Sequence, residues 1–136
     1  MIKNYYYLIA GILALVFSVT HALNGQNTVL PSLNVDKDTK AIFFYVWHIV
    51  TAENILFGIA FLFMSFQSNL SKVRFAAWLI AILMIVRWIV IFGGTLLYST
   101  SGLKNILIDS IAIVIYVSLV MLGTRVKDKQ LENKHL

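Results

Sequence analysis

The sequence contains no cysteine, only one proline and few charges. The absence of cysteine excludes disulfides, iron–sulfur clusters, thiolate zinc sites and cysteine nucleophiles. Charged residues make up 12% of the chain, whereas 60% of its residues are hydrophobic and its mean hydropathy is +0.83. A domain of 136 residues has too little interior to hide so much apolar surface from water. This composition excludes a soluble enzyme, a disordered chain and a nucleic-acid-binding module, and it indicates one domain embedded in lipid.

Four long apolar runs make up most of the chain. Each is close to the roughly 20 residues that cross a hydrocarbon core of about 30 Å, and none shows the alternation with a period of two that is typical of a strand. Lipid admits only helices and closed barrels, because backbone polar groups must pair internally there. We therefore predict an all-α, polytopic integral membrane protein, an antiparallel bundle of four transmembrane helices over residues 5–23, 41–66, 73–98 and 105–123.

The connections between these runs differ in length. Residues 24–40 are polar and contain the only proline, Pro31, so we expect the longest loop there. The connections over residues 67–72 and 99–104 are short, and short connections make consecutive helices antiparallel neighbours. The charged residues 124–136 are expected to form a cytoplasmic tail of the single domain.

The distribution of Lys and Arg predicts the orientation in the membrane. Seven of these residues fall on the side of the two termini and three on the other, and the positive-inside rule places the richer side in the cytoplasm. Both termini are therefore expected to be cytoplasmic. Membrane topology also explains the net charge of +5 without nucleic acid as a partner. The two groups are Lys3, Lys72, Arg74, Arg125, Lys127, Lys129 and Lys134 against Lys37, Lys40 and Lys104.

Three charged residues, Glu53, Arg87 and Asp109, fall inside the predicted membrane segments. A charge near the bilayer centre costs about 2.5–3.5 kcal/mol on insertion scales, so such residues indicate a functional site or an ion pair that holds the bundle together. Counted at about 1.5 Å per residue, Glu53 and Arg87 both lie near mid-membrane and are natural partners. His48 and Asp109 lie less deep, and His21 lies closest to the outer surface. We expect the inner half to be an apolar plug.

Helical periodicity predicts which of these side chains face the interior. The faces that carry His21, Arg87 and Asp109 also carry small or aromatic residues, which is typical of packed helix surfaces. The second helix is ambiguous, because His48 and Glu53 lie about 140° apart around its axis. Either this helix contacts neighbours on two sides, or one of the two residues faces a second subunit.

The predicted site, in the outer half of the bundle, suits a small amphipathic or lipophilic ligand and acid–base chemistry on it. Burial moves the pKa values of imidazole and carboxyl groups toward neutrality, which favours proton exchange, and a guanidinium stabilises an anionic group. The candidate catalytic residues are His48, Glu53 and Asp109. The candidate ligand-binding residues are His21, Asn54, Arg87 and Tyr98.

Three other interpretations stay open. A proton-coupled transporter acting as a dimer would use Glu53 as its coupling residue. A metal or haem site would use His21, His48 and Asp109, although the sequence has no His-Glu-x-x-His motif. A structural subunit would use Glu53 and Arg87 to dock a partner helix. The expected partners are thus the lipid bilayer, the ligand and a homo-oligomer, and the cofactor stays unknown.

One segment resembles a known family. The eight residues His-Ile-Val-Thr-Ala-Glu-Asn-Ile at positions 48–55 are similar to a fragment in helix 2 of the membrane-associated eicosanoid and glutathione metabolism family, which is also small and four-helical. In that family basic residues precede the helix, whereas Ala41-Ile-Phe-Phe precedes it here. The orientation predicted from charge is also opposite to the family's. Glutathione chemistry is therefore not transferred to this chain.

Overall fold

The computed structural model describes residues 1–126, and the regular structure in this part of the chain is entirely helical. Four of its helices are long and apolar enough to cross a membrane. This confirms the predicted all-α four-helix bundle and gives the chain the architecture of a multi-pass membrane protein. Of the predicted tail over 124–136, residues 127–136 lie outside the described part. The helices are α1 (Tyr5–Ser32), α2 (Lys37–Ser65), α3 (Ser71–Tyr98) and α4 (Leu107–Thr124).

Helix α1 is longer than the sequence predicts. Its α-helical part, Tyr5–Asn24, continues without a break into a π-helical turn, Gly25–Val29, and a short final turn, Leu30–Ser32. The expected long loop over residues 24–40 is therefore wrong, since the chain leaves helical structure only at residues 33–36. Polar side chains do not by themselves end a helix, and Pro31 lies in the final turn, directly after the π-helical turn and one residue before α1 ends at Ser32.

Helix α2 begins at Lys37, before the predicted start at residue 41, because Asp36 caps it. One carboxylate oxygen of Asp36 accepts from the backbone N–H of Thr39 at 2.9 Å, and the other accepts from the Thr39 hydroxyl at 2.6 Å. Such a cap satisfies an N–H that has no partner within the helix. These hydrogen bonds favour the charged carboxylate and hold the pKa of Asp36 below its usual value.

The Asp36 cap predicts a pH dependence at the start of α2. Because the folded pKa of Asp36 lies below the unfolded one, the stabilisation is complete above the ordinary carboxyl pKa of about 3.9 and is lost as pH falls through the folded value. Hydrogen–deuterium exchange at the Thr39 amide, corrected for intrinsic rates, is therefore expected to accelerate in that acid range. Asp36→Ala should exchange fast at every pH, and Asp38→Ala should behave as wild type. A Thr39 amide that Asp36→Ala leaves unchanged would contradict the cap.

The four helices form two hairpins. Helix α1 packs closely along α2, α3 packs against α4, and α4 also packs against α1. A Cβ atom on Gly58 would lie 3.0 Å from the carbonyl oxygen of Gly11, so these two glycines allow the backbones of α1 and α2 to approach closely. Helices α2 and α3 are consecutive, yet they contact each other least among the neighbouring helices. The bundle is therefore loosest along its α2–α3 edge.

The apolar core lies toward one end of the bundle. We call this the basic end, because it carries Lys3, Lys72, Arg74 and Arg125, and we call the opposite end the distal end. At the centre of the core Tyr7, Phe61 and Tyr116 form a three-ring cluster, with ring centroids 5.3 Å apart from Tyr7 to Phe61 and 6.0 Å from Phe61 to Tyr116. Around it pack Ala10, Ala14, Met64, Ala77, Ile80, Ala81, Met84 and Val120. The structure thus contains the predicted apolar plug, but two tyrosine hydroxyls lie within it.

Side chains near the basic end tie the helix ends together. The backbone N–H of Asn4 donates to the Ser65 carbonyl at 3.1 Å, and its side-chain amide donates to the Gly123 carbonyl at 2.9 Å. Arg74 donates to the Val126 carbonyl at 2.9 Å. These bonds satisfy carbonyls at the C-terminal ends of α2 and α4. The helix ends are therefore held together at the basic end, whereas the candidate residues His21, His48 and Asp109 belong to the distal part of the bundle.

Candidate functional site

On the distal side of the core, α1 and α2 hold His21 against Trp47. The two rings stack with centroids 4.3 Å apart and an interplanar angle of 5°. Trp47 Nε1 donates to the backbone carbonyl of His21 at 2.8 Å. A Cβ atom on Gly25 would lie 2.2 Å from that indole nitrogen, so the first residue of the π-helical turn has to be glycine for Trp47 to fit. The orientation of the His21 ring is therefore fixed by packing.

His48 lies one turn further along α2 from Phe44 and faces α1. Its Nε2 is 2.8 Å from the side-chain nitrogen of Gln26, and its ring contacts the Phe44 ring with centroids 4.5 Å apart. Because an amide nitrogen only donates, His48 Nε2 accepts, and a neutral ring then carries its proton on Nδ1. Gln26 and Phe44 also line a pocket of about 300 Å³ near the distal end, together with Leu30, Pro31 and Lys40.

Arg87 crosses from α3 to α2 and joins the two helices that otherwise contact each other least. One guanidinium nitrogen pairs with the Glu53 carboxylate, and the other donates to Asn54 Oδ1 at 2.9 Å. The guanidinium carbon lies 6.0 Å from the centroid of the Phe57 ring. The side chain of Arg87 is 17% exposed and that of Glu53 is 45% exposed. We call Glu53, Asn54 and Arg87 the polar bridge.

The polar bridge resolves the ambiguity in the second helix. Glu53 faces Arg87 on α3, whereas His48 faces Gln26 on α1. Of the two predicted arrangements, the structure therefore has the one in which α2 contacts neighbours on two sides. The pairing of Glu53 with Arg87 is as predicted, but His48 and Glu53 do not meet.

Asp109 and Tyr98 lie away from the polar bridge. Asp109 is exposed in the first turn of α4, nearer the helix end than predicted, where the positive end of the helix dipole favours a carboxylate. It has no hydrogen bond or ion pair with any residue from 1 to 126, although it is close enough to His21 to interact electrostatically. Tyr98 is 90% exposed at the last residue of α3. The structure thus leaves Tyr98 outside the group of candidates.

Tyr116, in the three-ring cluster of the core, is not among the candidate residues predicted from the sequence. Its side chain is 1% exposed, its hydroxyl has no hydrogen-bond partner within the described residues, and it is close enough to Arg87 to interact electrostatically. His21 Nε2 is also buried without a partner there, within electrostatic range of Arg87. The seven-residue spacing from Asp109 to Tyr116 puts both on one helix face, as helical periodicity predicts, but this spacing does not show that the Tyr116 hydroxyl lacks a partner.

The histidines and carboxylates do not gather into a metal-binding group. Among residues 1–126, no three His, Asp or Glu side chains are arranged to hold a metal ion. His48 pairs with Gln26 and His21 stacks on Trp47, so the alternative ligand set of His21, His48 and Asp109 is not brought together. The structure therefore gives no geometric support to a metal site built from these three residues.

Comparisons with known proteins leave the geometry as the only basis for a function. The polar bridge, the stacked His21 and the buried Tyr116 hydroxyl together come from all four helices. No protein family, curated protein or solved structure matches the chain.

Proposed function

We propose that this protein binds a small amphipathic molecule in the membrane, at the polar bridge on the α2–α3 edge. The observation that carries the proposal is that an ion pair lies midway along two apolar helices while the side chain of Glu53 remains 45% exposed. In a bilayer this exposed part of Glu53 faces hydrocarbon, where an uncovered polar group costs several kcal/mol (about 2–7). The polar end of a bound molecule would cover it.

The chemistry of the polar bridge suits such a ligand. Arg87 has five N–H donors and uses part of them on Glu53 and Asn54, so donors remain for an acceptor on the ligand. Phe57 and the neighbouring apolar side chains offer a surface for a hydrocarbon chain. Proton exchange with the ligand would involve Glu53. His48 and Asp109 stay predictions as catalytic residues, each at its own place in the bundle.

We also propose an orientation of the bundle in the membrane. Lys3, Lys72, Arg74 and Arg125 lie at the basic end, and the positive-inside rule would place that end in the cytoplasm. The ligand would then enter from the membrane through the α2–α3 edge. A proton-coupled transporter has less support, because the three-ring cluster and its neighbours fill the basic half of the described bundle. A homo-oligomer stays a prediction.

Photo-crosslinking in lipid nanodiscs tests the proposal. Three long-chain probes that carry a diazirine are used, and they end in a carboxylate, an alcohol or a methyl ketone. We expect at least one of them to label α2 and α3 around the polar bridge in a saturable way, as mapped by mass spectrometry. Arg87→Gln should weaken the binding about tenfold or more, because a hydrogen bond to a charged group contributes about 1.5–3 kcal/mol.

The matched control is Arg125→Gln, which removes the same charge from an exposed position at the basic end. It should leave the labelling unchanged. Labelling that increases linearly with each of the three probes, as expected for ordinary lipid contact, would overturn the proposal. Equal saturable labelling of wild type and Arg87→Gln would also overturn it.

A further inference from the structure

The pocket of about 300 Å³ near the distal end lies between the end of α1 and the start of α2, away from the polar bridge. It forms because α1 stays helical beyond its predicted end and so runs beside α2. Leu30, Pro31 and Phe44 give it an apolar lining, to which Gln26 and Lys40 add two polar groups. Gln26 and Phe44 are exposed and Lys40 is half-buried, so a ligand can reach this lining. We call this pocket the distal cleft.

Within residues 1–126, Lys40 brings the only charge to the lining of the distal cleft. Its ammonium group has no hydrogen bond or ion pair with any residue of that part of the chain. The carboxylate of Asp36 is already used, since both of its oxygens accept from Thr39, and neither Asp36 nor Asp38 lines the cleft. The cleft therefore offers one positive charge without a partner.

Gln26 adds a hydrogen-bond donor to the distal cleft. Its side-chain nitrogen lies 2.8 Å from His48 Nε2 and donates one N–H to it, and an amide nitrogen has two. The second N–H remains for an acceptor on a ligand. An ammonium group and an amide N–H beside an apolar lining suit an amphiphile with an anionic group that accepts hydrogen bonds, and lysine binds phosphate well as a point charge.

The distal cleft extends across the expected boundary between lipid chains and head groups. With the middle of α2 at the bilayer midplane and about 1.5 Å per residue, Phe44 lies about 11 Å and Lys40 about 17 Å toward the distal end. Half of the hydrocarbon core is about 15 Å. The Phe44 ring is therefore at the depth of acyl chains and the Lys40 ammonium is at the depth of phosphate groups. The apolar and polar parts of the cleft follow the same order as those of a phospholipid.

We propose that the distal cleft binds an anionic membrane phospholipid, with Lys40 and Gln26 on its phosphate group and an acyl chain against Phe44. A lipid is favoured over a free phosphate ion, because the apolar lining would contribute nothing to the binding of an ion. An anionic lipid is favoured over a zwitterionic one, because the cationic part of a zwitterionic head group would be repelled by Lys40. This site is separate from the polar bridge and goes beyond the proposed function.

The test uses a phosphatidylglycerol and a phosphatidylcholine that carry the same diazirine on one acyl chain. Each is added as a minor component to phosphatidylcholine nanodiscs, and labelling of the distal ends of α1 and α2 is mapped by mass spectrometry. We expect saturable labelling in which phosphatidylglycerol is preferred about fivefold, the effect of one lysine on an anionic lipid. Lys40→Gln should remove most of this preference, and Lys40→Arg, which keeps the charge, should retain it.

The matched control is Lys37→Gln, which removes the same charge from an exposed position outside the distal cleft. It should change the preference by no more than about twofold, because solvent and salt screen this charge. Equal losses in Lys37→Gln and Lys40→Gln would indicate general attraction to anionic lipid and would overturn the inference. Arg87→Gln should keep the preference for phosphatidylglycerol, so the result does not depend on whether the polar bridge binds a ligand.

Inorganic phosphate distinguishes a lipid site from an ion site. A large excess of it should leave the labelling by phosphatidylglycerol unchanged, because a free ion lacks the contact with the apolar lining. Labelling that inorganic phosphate abolishes would contradict the inference. Equal labelling by the two lipids, or a Lys40→Gln variant that keeps the preference, would contradict it as well.

Discussion

Replacing Arg87 with glutamine is expected to lower the free energy of unfolding by about 2–3 kcal/mol. Removing one partner of a buried ion pair costs about 3–5 kcal/mol, because the other charge is left without compensation. A loss somewhat below this range is expected here, because the Glu53 side chain is 45% exposed and its charge is therefore only partly buried. Asn54 would also lose the hydrogen bond that Arg87 donates to it. The loss should be seen in equilibrium unfolding with SDS in mixed micelles.

A double-mutant cycle separates the pair from its two members. Glu53→Gln, Arg87→Gln and the double variant are compared with wild type, and the double variant should be less destabilised than the sum of the singles by about 1–2 kcal/mol. Arg125→Gln, which changes an exposed charge at the basic end, should stay within about 0.5 kcal/mol of wild type. If the two single changes lower the free energy of unfolding additively, Glu53 and Arg87 do not stabilise the protein through an interaction with each other.

The four helices and the Glu53–Arg87 pair could be predicted from the sequence because lipid restricts the possible structures so strongly. An apolar run of transmembrane length has to be a helix, and two opposite charges at matching depth have to find each other. Counting residues from the ends of the runs was sufficient for both. The packed interior of the basic half followed from the same reasoning.

The distal end was less predictable, because it depends on contacts between distant residues. The π-helical turn of α1 forms where Gly25 makes room for Trp47, which lies on the next helix, and this turn brings Gln26 to His48. Polarity and Pro31 predict a loop there instead. The position of Tyr98 could not be predicted for a different reason, which is its distance along the helix. Tyr98 shares a helix face with Arg87, but it lies about 16 Å further along α3, at the end of the helix.

Replacing Gly123 with alanine is expected to destabilise the basic half by about 2–3 kcal/mol, although alanine is the better helix former. A Cβ atom on Gly123 would lie 2.4 Å from Tyr7 Cε1 and 2.5 Å from Cδ1. The Tyr7 ring has no free space to move into, since it is 0% exposed and packs on Phe61. Overpacking of this kind costs about 1–3 kcal/mol. Unfolding in mixed micelles measures the loss.

Two further variants show whether this clash is the cause. Gly94→Ala makes the same change on α3 at a position where a Cβ atom would meet nothing within 4 Å, so it should leave stability unchanged or slightly raised. Adding Tyr7→Leu to Gly123→Ala removes the ring atoms that clash, so the pair should be more stable than the sum of the single effects by about 1 kcal/mol or more. A Gly123→Ala variant as stable as Gly94→Ala would mean that α1 and α4 do not meet at Tyr7. In that case the three-ring cluster would not be the core of the basic half.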